Sequence, residues 1–328
     1  MSEKLKNKKY IATSSIIIFV ISIIFALLVG SGLYGYGIDY YSGYSKGFEF
    51  NKLNATFFNY LGYKVATLTI NGFHIGVYVA TFILSLSTGF LIRECIKFKQ
   101  SYSLIFFLLI FLIAIHTWPV IMSTSNAMRQ GLTMSFIFLA LISSFRKNYY
   151  WMLFFCFVAI FMHSAGLLLV IVIIFSTILN KLLTIFSHKS KIIINFLIGT
   201  FLLIATYYFI NIFFLLNNHQ PSRIIAGDFR WYFVFIGFIY VILSFFYRSI
   251  LTNSFNLSLY FYSFIAFSFL MNGLNWEYER LGMMMLIPYI FSFGIILNRV
   301  SYKIYLILIF LLLLLLTIYQ DMYTVGLT

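Results

Sequence analysis

The sequence predicts an all-α polytopic integral membrane protein with about eleven transmembrane helices and a cytoplasmic N-terminus. Its 328 residues are 62% hydrophobic and only 9% charged, with a mean hydropathy of +0.98. Soluble proteins are typically ~45–50% apolar and ~25% charged, so lipid must solvate most of this chain. Despite the net charge of +14, the basic residues form short clusters between apolar runs. That pattern is typical of membrane proteins and excludes a nucleic-acid partner.

Apolar runs follow one another along the chain without a linker or an internal repeat, so 1–328 is predicted to be a single transmembrane domain. Transmembrane helices need roughly 17–25 apolar residues. The first run follows the basic segment MSEKLKNKKY and lacks a small-residue cleavage site, which indicates a retained signal anchor. The predicted spans are 11–30, 73–92, 102–118, 126–145, 149–162, 164–180, 192–216, 230–247, 256–273, 281–298 and 303–319.

The positions of Lys and Arg predict which side of the membrane each loop faces. With the N-terminus inside and eleven alternating spans, most of the 22 Lys and Arg face the cytoplasm, as the positive-inside rule requires. A single long helix over 149–180 would instead put the basic clusters at 146–147 and 181–191 on opposite sides of the membrane. A hairpin with His163 at its outer tip is therefore favoured.

The acidic residues show the opposite distribution. The acidic residues predicted to lie on the outer face are Asp39, Glu49, Asp228, Glu277, Glu279 and Asp321. Because acidic residues contribute little to membrane insertion, this asymmetry indicates a titratable site on the outer face. The outer loops at 31–72 and 217–230 are predicted to contribute to that site, and the segment 55–70 is a candidate interfacial helix.

Four outer arginines are candidates for binding pyrophosphate: Arg129, Arg280, Arg223 and Arg230. Arginine binds phosphate in a bidentate manner and keeps its charge in apolar surroundings. Arg129 and Arg280 fall at or just inside predicted helix N-termini, where the helix dipole favours an anion. The alternatives are snorkelling to the interface and pairing with an outer carboxylate.

His163 and three carboxylates are the candidates for acid–base chemistry. His163 interrupts an apolar run and can serve as a general base, or it can be a turn histidine bonded to the backbone. Asp39, Glu277 and Glu279 can accept the proton of a sugar hydroxyl or pair with an arginine, and the sequence leaves both roles open. No nucleotide-binding or metalloprotease motif is present. An enzyme of this kind is therefore predicted to use no metal and no cofactor, with a lipid-linked donor.

Tyrosine is concentrated in the first outer segment, SGLYGYGIDYYSGYSKGFEF. Flat aromatic rings stack on sugar rings, so Tyr40, Tyr41 and Tyr44, together with Trp276 and Tyr278, are candidates for binding a glycan. Aromatic residues at the membrane boundary are also common as interfacial belts, which is the alternative interpretation.

Four short stretches, taken in their order along the chain, resemble the EpsG family of Wzy-like polysaccharide polymerases. They are Gly37–Tyr41 (GIDYY), Met128–Leu132 (MRQGL), Phe161–Ala165 (FMHSA) and the pair Glu279-Arg280. The resemblance covers roughly residues 10–300, and MRQGL and FMHSA are its strongest parts.

The resemblance implies a GT-C-like multi-pass protein of the bacterial inner membrane with its active face in the periplasm. Its substrates, as donor and acceptor, would be oligosaccharide repeat units linked to undecaprenyl pyrophosphate, and a chain-length regulator is a possible partner. By position, Arg129 and Arg280 would bind pyrophosphate and His163 or Asp39 would perform acid–base chemistry. The paired Arg-rich repeats of some related polymerases are not visible.

Three other functions fit parts of the pattern: a lipid-linked oligosaccharide flippase or other transporter, a membrane acyltransferase, and an O-antigen ligase. A transporter is expected to carry charges in mid-membrane and often in repeated halves, whereas here they collect at the outer rim. A ligase would differ from a polymerase only in its acceptor.

Overall fold

The computed structural model describes residues 3–37, 40, 41, 44, 60–97, 104–216, 231–246, 253–273, 275–296, 308 and 312. The helices are α1 (Glu3–Gly30), α2 (Tyr60–Ala66), α3 (Gly76–Lys97), α4 (Leu104–Ile115), α5 (Trp118–Ser125), α6 (Met128–Phe145), α7 (Tyr149–Met162), α8 (Ala165–Leu182), α9 (His188–Leu216), α10 (Trp231–Phe246), α11 (Ser254–Met271) and α12 (Asn275–Ile296). A short 3-10 helix, Leu183–Ile185, follows α8. Strands β1 (Thr69–Ile70) and β2 (Phe73–His74) form one small hairpin.

The predicted all-α membrane class is confirmed. Six of the described helices are long and apolar enough to cross a membrane, and the bent pair α4–α5 gives a seventh candidate. Helix α7 and the Arg280–Phe293 part of α12 are shorter apolar helices. The total of eleven spans and the cytoplasmic N-terminus stay predictions.

The described chain divides into two compact units. Among the described residues, the first contains those within Met1–Ser143, Asn148–Val170 and Leu297–Thr328, and the second contains those within Ser144–Lys147 and Ile171–Ile296. Predicted site residues with described side chains fall in both units, so each unit is described by itself.

The first unit is built on the antiparallel pair α1–α3. Arg93 Nη1 donates to Ser15 Oγ at 2.6 Å near one end of the pair. At the other end, a Cβ added to Gly30 would collide with the ring of Tyr78. Between these points, a Cβ added to Gly89 of α3 would lie 2.9 Å from Ile18 Cγ1 of α1, so the two helices approach closely. Small residues of this kind are typical of helix contacts in membranes, because van der Waals packing drives the association there.

The predicted span 102–118 is confirmed only in part, because the chain bends by 54° between α4 and α5. The bend lies at His116-Thr117, and Pro119 then occupies the first turn of α5. Proline is favoured there because its missing N–H has no partner in the first turn of a helix. The segment between the predicted spans 102–118 and 126–145 is therefore part of a short, mostly buried helix, α5.

A two-residue turn displaces the start of the predicted span 73–92. Asn71 and Gly72 both adopt positive φ, 50° and 81°, and connect β1 to β2. Asn-Gly is the preferred pair for such tight hairpin turns. Helix α3 consequently begins at Gly76 rather than at residue 73.

The predicted helix break at His163 is confirmed. Helix α7 ends at Met162, and His163 has the extended conformation φ −161°, ψ 143°. A Cβ added to Gly166 in α8 would lie 2.6 Å from the Ala159 carbonyl of α7. Seven residues along one continuous helix would separate these positions by about 10 Å. The chain therefore doubles back, as expected for a hairpin.

The second unit is joined by polar side chains within apolar helices. The Tyr240 hydroxyl and Ser292 Oγ both donate to Asn256 Oδ1, at 3.2 and 3.1 Å. The hydroxyls of Ser263 and Tyr289 are 2.6 Å apart. These bonds connect α10, α11 and α12, and such interhelical bonds contribute about 0.6–2 kcal/mol each in membranes.

We predict that a cysteine at position 164 is labelled from the side of the membrane opposite to a cysteine at position 187. Ser164, in the α7–α8 turn, and Ser187, between α8 and α9, are both exposed. In a background lacking Cys95 and Cys156, Ser164→Cys should react with an impermeant maleimide in right-side-out vesicles, and Ser187→Cys only after permeabilisation. Labelling of both cysteines from the same side would contradict the topology.

Candidate functional site

Arg129, one of the sequence-predicted phosphate ligands, lies in the first turn of α6 and is held by two tyrosines. Its Nε donates to the hydroxyl of Tyr44 at 3.2 Å. Its guanidinium carbon lies 3.7 Å from the centroid of the Tyr63 ring, a cation–π contact. Both tyrosines are buried, whereas Arg129 is half-buried.

The electrostatic environment of Arg129 is unusual for an arginine in a membrane protein. Within the described part of the chain it makes no ion pair, and its two partners are a neutral hydroxyl and a neutral ring. The first turn of α6 also contains no acidic residue. The helix dipole adds further positive potential at this position. Among the described residues, the Arg129 guanidinium therefore contacts neutral groups.

The residues after Arg129 fix the start of α6 against α5. A Cβ added to Gly131 would lie 2.1 Å from the Ser123 carbonyl, so only glycine fits there. Gln130 and Leu132 are buried. In the MRQGL stretch, therefore, the glycine is required by packing and the arginine is the half-buried charged group.

His163 is part of the α7–α8 turn. The Ala165 N–H donates to His163 Nδ1 at 3.1 Å, and the Gly166 N–H donates to the His163 carbonyl at 2.8 Å. Because Nδ1 accepts a hydrogen bond, the neutral ring has its proton on Nε2. His163 is therefore both a backbone-bonded turn histidine and a potential hydrogen-bond donor.

Helix α2 connects Arg129 to the His163 turn. The Tyr63 ring lies on the Arg129 guanidinium. A Cβ added to the neighbouring Gly62 would be 1.9 Å from the Met162 carbonyl, directly before His163. A second contact joins the same regions, because a Cβ added to Gly166 would be 3.0 Å from Thr133 Cγ2, one turn after Arg129. The structure thus brings together two motifs separated by about thirty residues.

An aromatic cluster lies in the first outer segment. The rings of Tyr36 and Tyr40 stack at 4.0 Å, and Tyr40 contacts Tyr41 and His74 edge to face at 5.4 and 5.2 Å. Tyr41 is 57% exposed, which leaves its ring open to a ligand. Burial raises the pKa of Tyr36 to about 12, so its hydroxyl stays protonated.

This aromatic cluster is connected to the beginning of α6. The Gly37 N–H donates to the Ser125 carbonyl at 3.2 Å, and a Cβ added to Gly37 would collide with Asn126. Ser125 and Asn126 directly precede the turn into α6. Tyr40 and Tyr41 therefore follow a segment anchored close to Arg129.

Tyr44, predicted as a glycan ligand, is in a different environment from Tyr40 and Tyr41. It is 3% exposed, and its hydroxyl accepts the hydrogen bond from Arg129. This burial leaves little of the Tyr44 ring for a sugar, so the structure associates Tyr44 with the arginine.

Two histidines outside the set of predicted site residues have structural partners. His116 donates from Nδ1 to the Leu112 carbonyl at 2.7 Å, and its Nε2 accepts from the Tyr34 hydroxyl at 2.8 Å. His74 Nε2 donates to the Ala66 carbonyl at 2.7 Å, at the end of α2. Burial lowers the pKa of His74 from its usual value near 6.5, and the hydrogen bond to Ala66 opposes this shift.

Arg280 belongs to the second unit. Helix α12 begins at Asn275, so Arg280 is half-buried in the second turn instead of at the predicted helix start. Because the dipole effect is confined to the first turn, it contributes little at Arg280.

The remaining predicted residues lie outside the described part of the structure. They are Asp39, Arg223 and Arg230, together with the side chains of Trp276, Glu277, Tyr278 and Glu279, whose backbone belongs to α12.

Tyr63 is the residue of this site that sequence reasoning missed. The segment 55–70 is predicted to lie along the interface, and in its described part α2 buries Gly62, Tyr63 and Ala66. The spacing of these residues at i, i+1 and i+4 marks one buried face of a helix. That spacing was the available signal, but seven residues are too few for a hydrophobic period to be distinctive.

The chain is similar to a known protein family. The family model of the EpsG family matches residues 12–326, nearly the whole chain. No curated protein and no solved structure matches the chain.

We predict that Gly62→Ala destabilises the protein. Alanine is normally favoured over glycine in a helix by ~0.5–1 kcal/mol. Here the new methyl group would overlap the Met162 carbonyl, which is backbone, and should lower the free energy of unfolding by about 1–3 kcal/mol. Thermal unfolding of the detergent-purified protein measures this effect. The matched control Leu61→Ala, at an exposed position of α2, should change stability by less than ~0.5 kcal/mol. An unchanged or higher Tm for Gly62→Ala would contradict the close contact.

We predict that His74 makes the protein less stable in mild acid. Since burial lowers the pKa of His74 in the folded state, the unfolded chain takes up the proton first as the pH falls through about 6.5. The contribution to stability is complete above that pH and decreases below it. The Tm of the wild type should therefore fall between about pH 7.5 and about pH 5.5 more than that of His74→Gln. Equal pH dependence of the two proteins would show that His74 has no such role.

Proposed function

The chain belongs to the EpsG family, whose members are Wzy-like polysaccharide polymerases, and on this premise we propose its reaction and substrates. It joins oligosaccharide repeat units carried on undecaprenyl pyrophosphate at the periplasmic face of the bacterial inner membrane. The growing glycan is transferred from its lipid pyrophosphate to a sugar hydroxyl of an incoming lipid-linked unit. The reaction uses no metal and no cofactor.

The observation that carries this proposal is the environment of Arg129. An arginine next to a carboxylate is already neutralised, whereas Arg129 contacts two neutral tyrosines among the described residues. A membrane boundary of low dielectric strengthens the attraction between such a cation and a phosphate. A lipid-linked diphosphate supplies that anion and keeps its lipid tail in the bilayer.

Transfer requires stabilisation of the leaving group. The hydroxyl oxygen of the acceptor sugar attacks the anomeric carbon of the donor while the bond from that carbon to the pyrophosphate oxygen breaks. Negative charge then develops on the pyrophosphate, and preorganised cationic donors stabilise it most in the transition state. We assign this role to Arg129 and Arg280, with Arg223 and Arg230 as further ligands.

The acceptor hydroxyl must lose a proton to a base, and the hydrogen bonds of His163 favour a carboxylate for that role. With Nδ1 accepting from Ala165, the neutral ring has Nε2–H, which suits a donor to the leaving pyrophosphate. Accepting a proton at Nε2 would require the ring to give up its bond to Ala165. We therefore assign the base to one of the carboxylates Asp39, Glu277 and Glu279, and hydrogen-bond donation to His163.

The glycan itself would contact the exposed aromatic rings. Tyr41 is the most exposed ring of the cluster, and Tyr40 supports it edge to face. Trp276 and Tyr278 are the candidates from α12. A chain-length regulator remains a possible partner.

We predict that Arg129→Ala and Arg280→Ala each abolish long glycan chains while single-repeat product persists. Removal of one donor to a developing anion typically costs about 100-fold or more in rate. The measurement is the glycan ladder of a knockout strain complemented with each variant at equal membrane abundance. Arg146→Ala, at an exposed arginine after α6, is the matched control and should preserve the ladder.

The same ladder separates the alternatives. Normal chain lengths in both arginine variants would reject the polymerase mechanism. Untranslocated repeat units in the knockout would favour a flippase, and long chains lacking acetyl groups would favour an acyltransferase. Polymerised glycan that is not attached to its final acceptor would favour a ligase.

A further inference from the structure

Arg129 is held from two directions by buried tyrosines. The Tyr63 ring covers the guanidinium at 3.7 Å, and the Tyr44 hydroxyl accepts from Nε at 3.2 Å. The exposed fractions of Tyr63 and Tyr44 are 5% and 3%. Neither the sequence nor the family resemblance predicts that these two tyrosines act together with Arg129.

Helix α2 is anchored on both sides of Tyr63. On one side, Gly62 lies against the Met162 carbonyl. On the other side, the Ala66 carbonyl accepts from His74 Nε2 at 2.7 Å, and Ala66 is fully buried. The Tyr63 ring is therefore part of a packed element instead of a mobile loop.

The contacts leave one edge of the guanidinium for a ligand. Nε is used by Tyr44, whereas the two terminal nitrogens donate to no side chain in the described ranges. Those two nitrogens form the fork that binds two phosphate oxygens at once. The distance of 3.7 Å between the guanidinium carbon and the centroid of the Tyr63 ring is typical of stacking on the flat face, which leaves that edge open.

We propose that Tyr63 and Tyr44 are positioning residues that hold Arg129 in the orientation that binds pyrophosphate. This inference rests on the proposed pyrophosphate role of Arg129. A free arginine side chain loses rotational freedom when it binds a ligand, and prior ordering removes much of that cost. Neutral partners provide the order without competing with phosphate for the charge, as a carboxylate would.

The experiment uses the full-length protein in detergent and inorganic pyrophosphate as the probe. Affinity is measured from the rise in Tm with pyrophosphate concentration, and the Tm without ligand reports stability separately. The variants are Tyr63→Leu, Tyr63→Phe, Tyr44→Phe and Arg129→Ala. Tyr60→Leu is the matched control, because Tyr60 lies on the exposed side of the same helix.

Tyr63→Leu is expected to weaken pyrophosphate binding about five- to thirty-fold. Tyr63→Phe keeps the ring, so its affinity should lie within about twofold of that of the wild type. Tyr44→Phe loses one hydrogen bond to a charged group and should weaken binding about tenfold. Tyr60→Leu should bind like the wild type. A residue that was only structural would lower the Tm without ligand and leave the affinity of the folded fraction unchanged.

Two different failures can be told apart. Wild-type affinity in Tyr63→Leu and Tyr44→Phe, with binding lost in Arg129→Ala, overturns the positioning role and leaves the proposed function intact. Wild-type affinity in Arg129→Ala, or no binding by the wild type, overturns the pyrophosphate role of Arg129 and with it the positioning role. If Tyr63→Leu does not fold, Tyr44→Phe decides the question, because it removes only one oxygen atom.

Discussion

The contact between the Arg129 guanidinium and the Tyr63 ring is the interaction on which the candidate site depends. A charge at the membrane boundary needs stabilisation, which most often comes from a carboxylate. Here a ring and a hydroxyl provide it among the described residues, so the positive charge is stabilised without being cancelled. This arrangement supports the proposed role of Arg129 in binding an anionic ligand.

Close backbone contacts at glycine place this interaction next to the second motif. Gly62 lets α2 lie against the carbonyl before His163, and Gly131 lets α6 begin directly against α5. These contacts place Tyr63 and the α7–α8 turn in the same part of the first unit as Arg129. Packing of small residues thus determines chemical geometry, as is general where helices associate in lipid.

Much of the architecture and part of the site could be predicted from the sequence. Hydropathy predicted the membrane class, and the basic clusters favoured a break at His163 that the structure contains. Other features escaped prediction because they depend on short-range geometry. The bend at His116 interrupts an apolar run without changing its hydropathy, and the Asn71-Gly72 hairpin is only a few residues long.

From the amino-acid sequence alone, the chain can be identified as a membrane protein of a polysaccharide polymerase family, with Arg129 and His163 as candidates for its chemistry. Composition and local motifs carry that information, because solvent preference and charge are properties of individual residues. The contacts of Tyr44 and Tyr63 with the arginine, in contrast, are visible only in the folded protein. Such partners come from distant parts of the chain, and only packing of the helices brings them into contact.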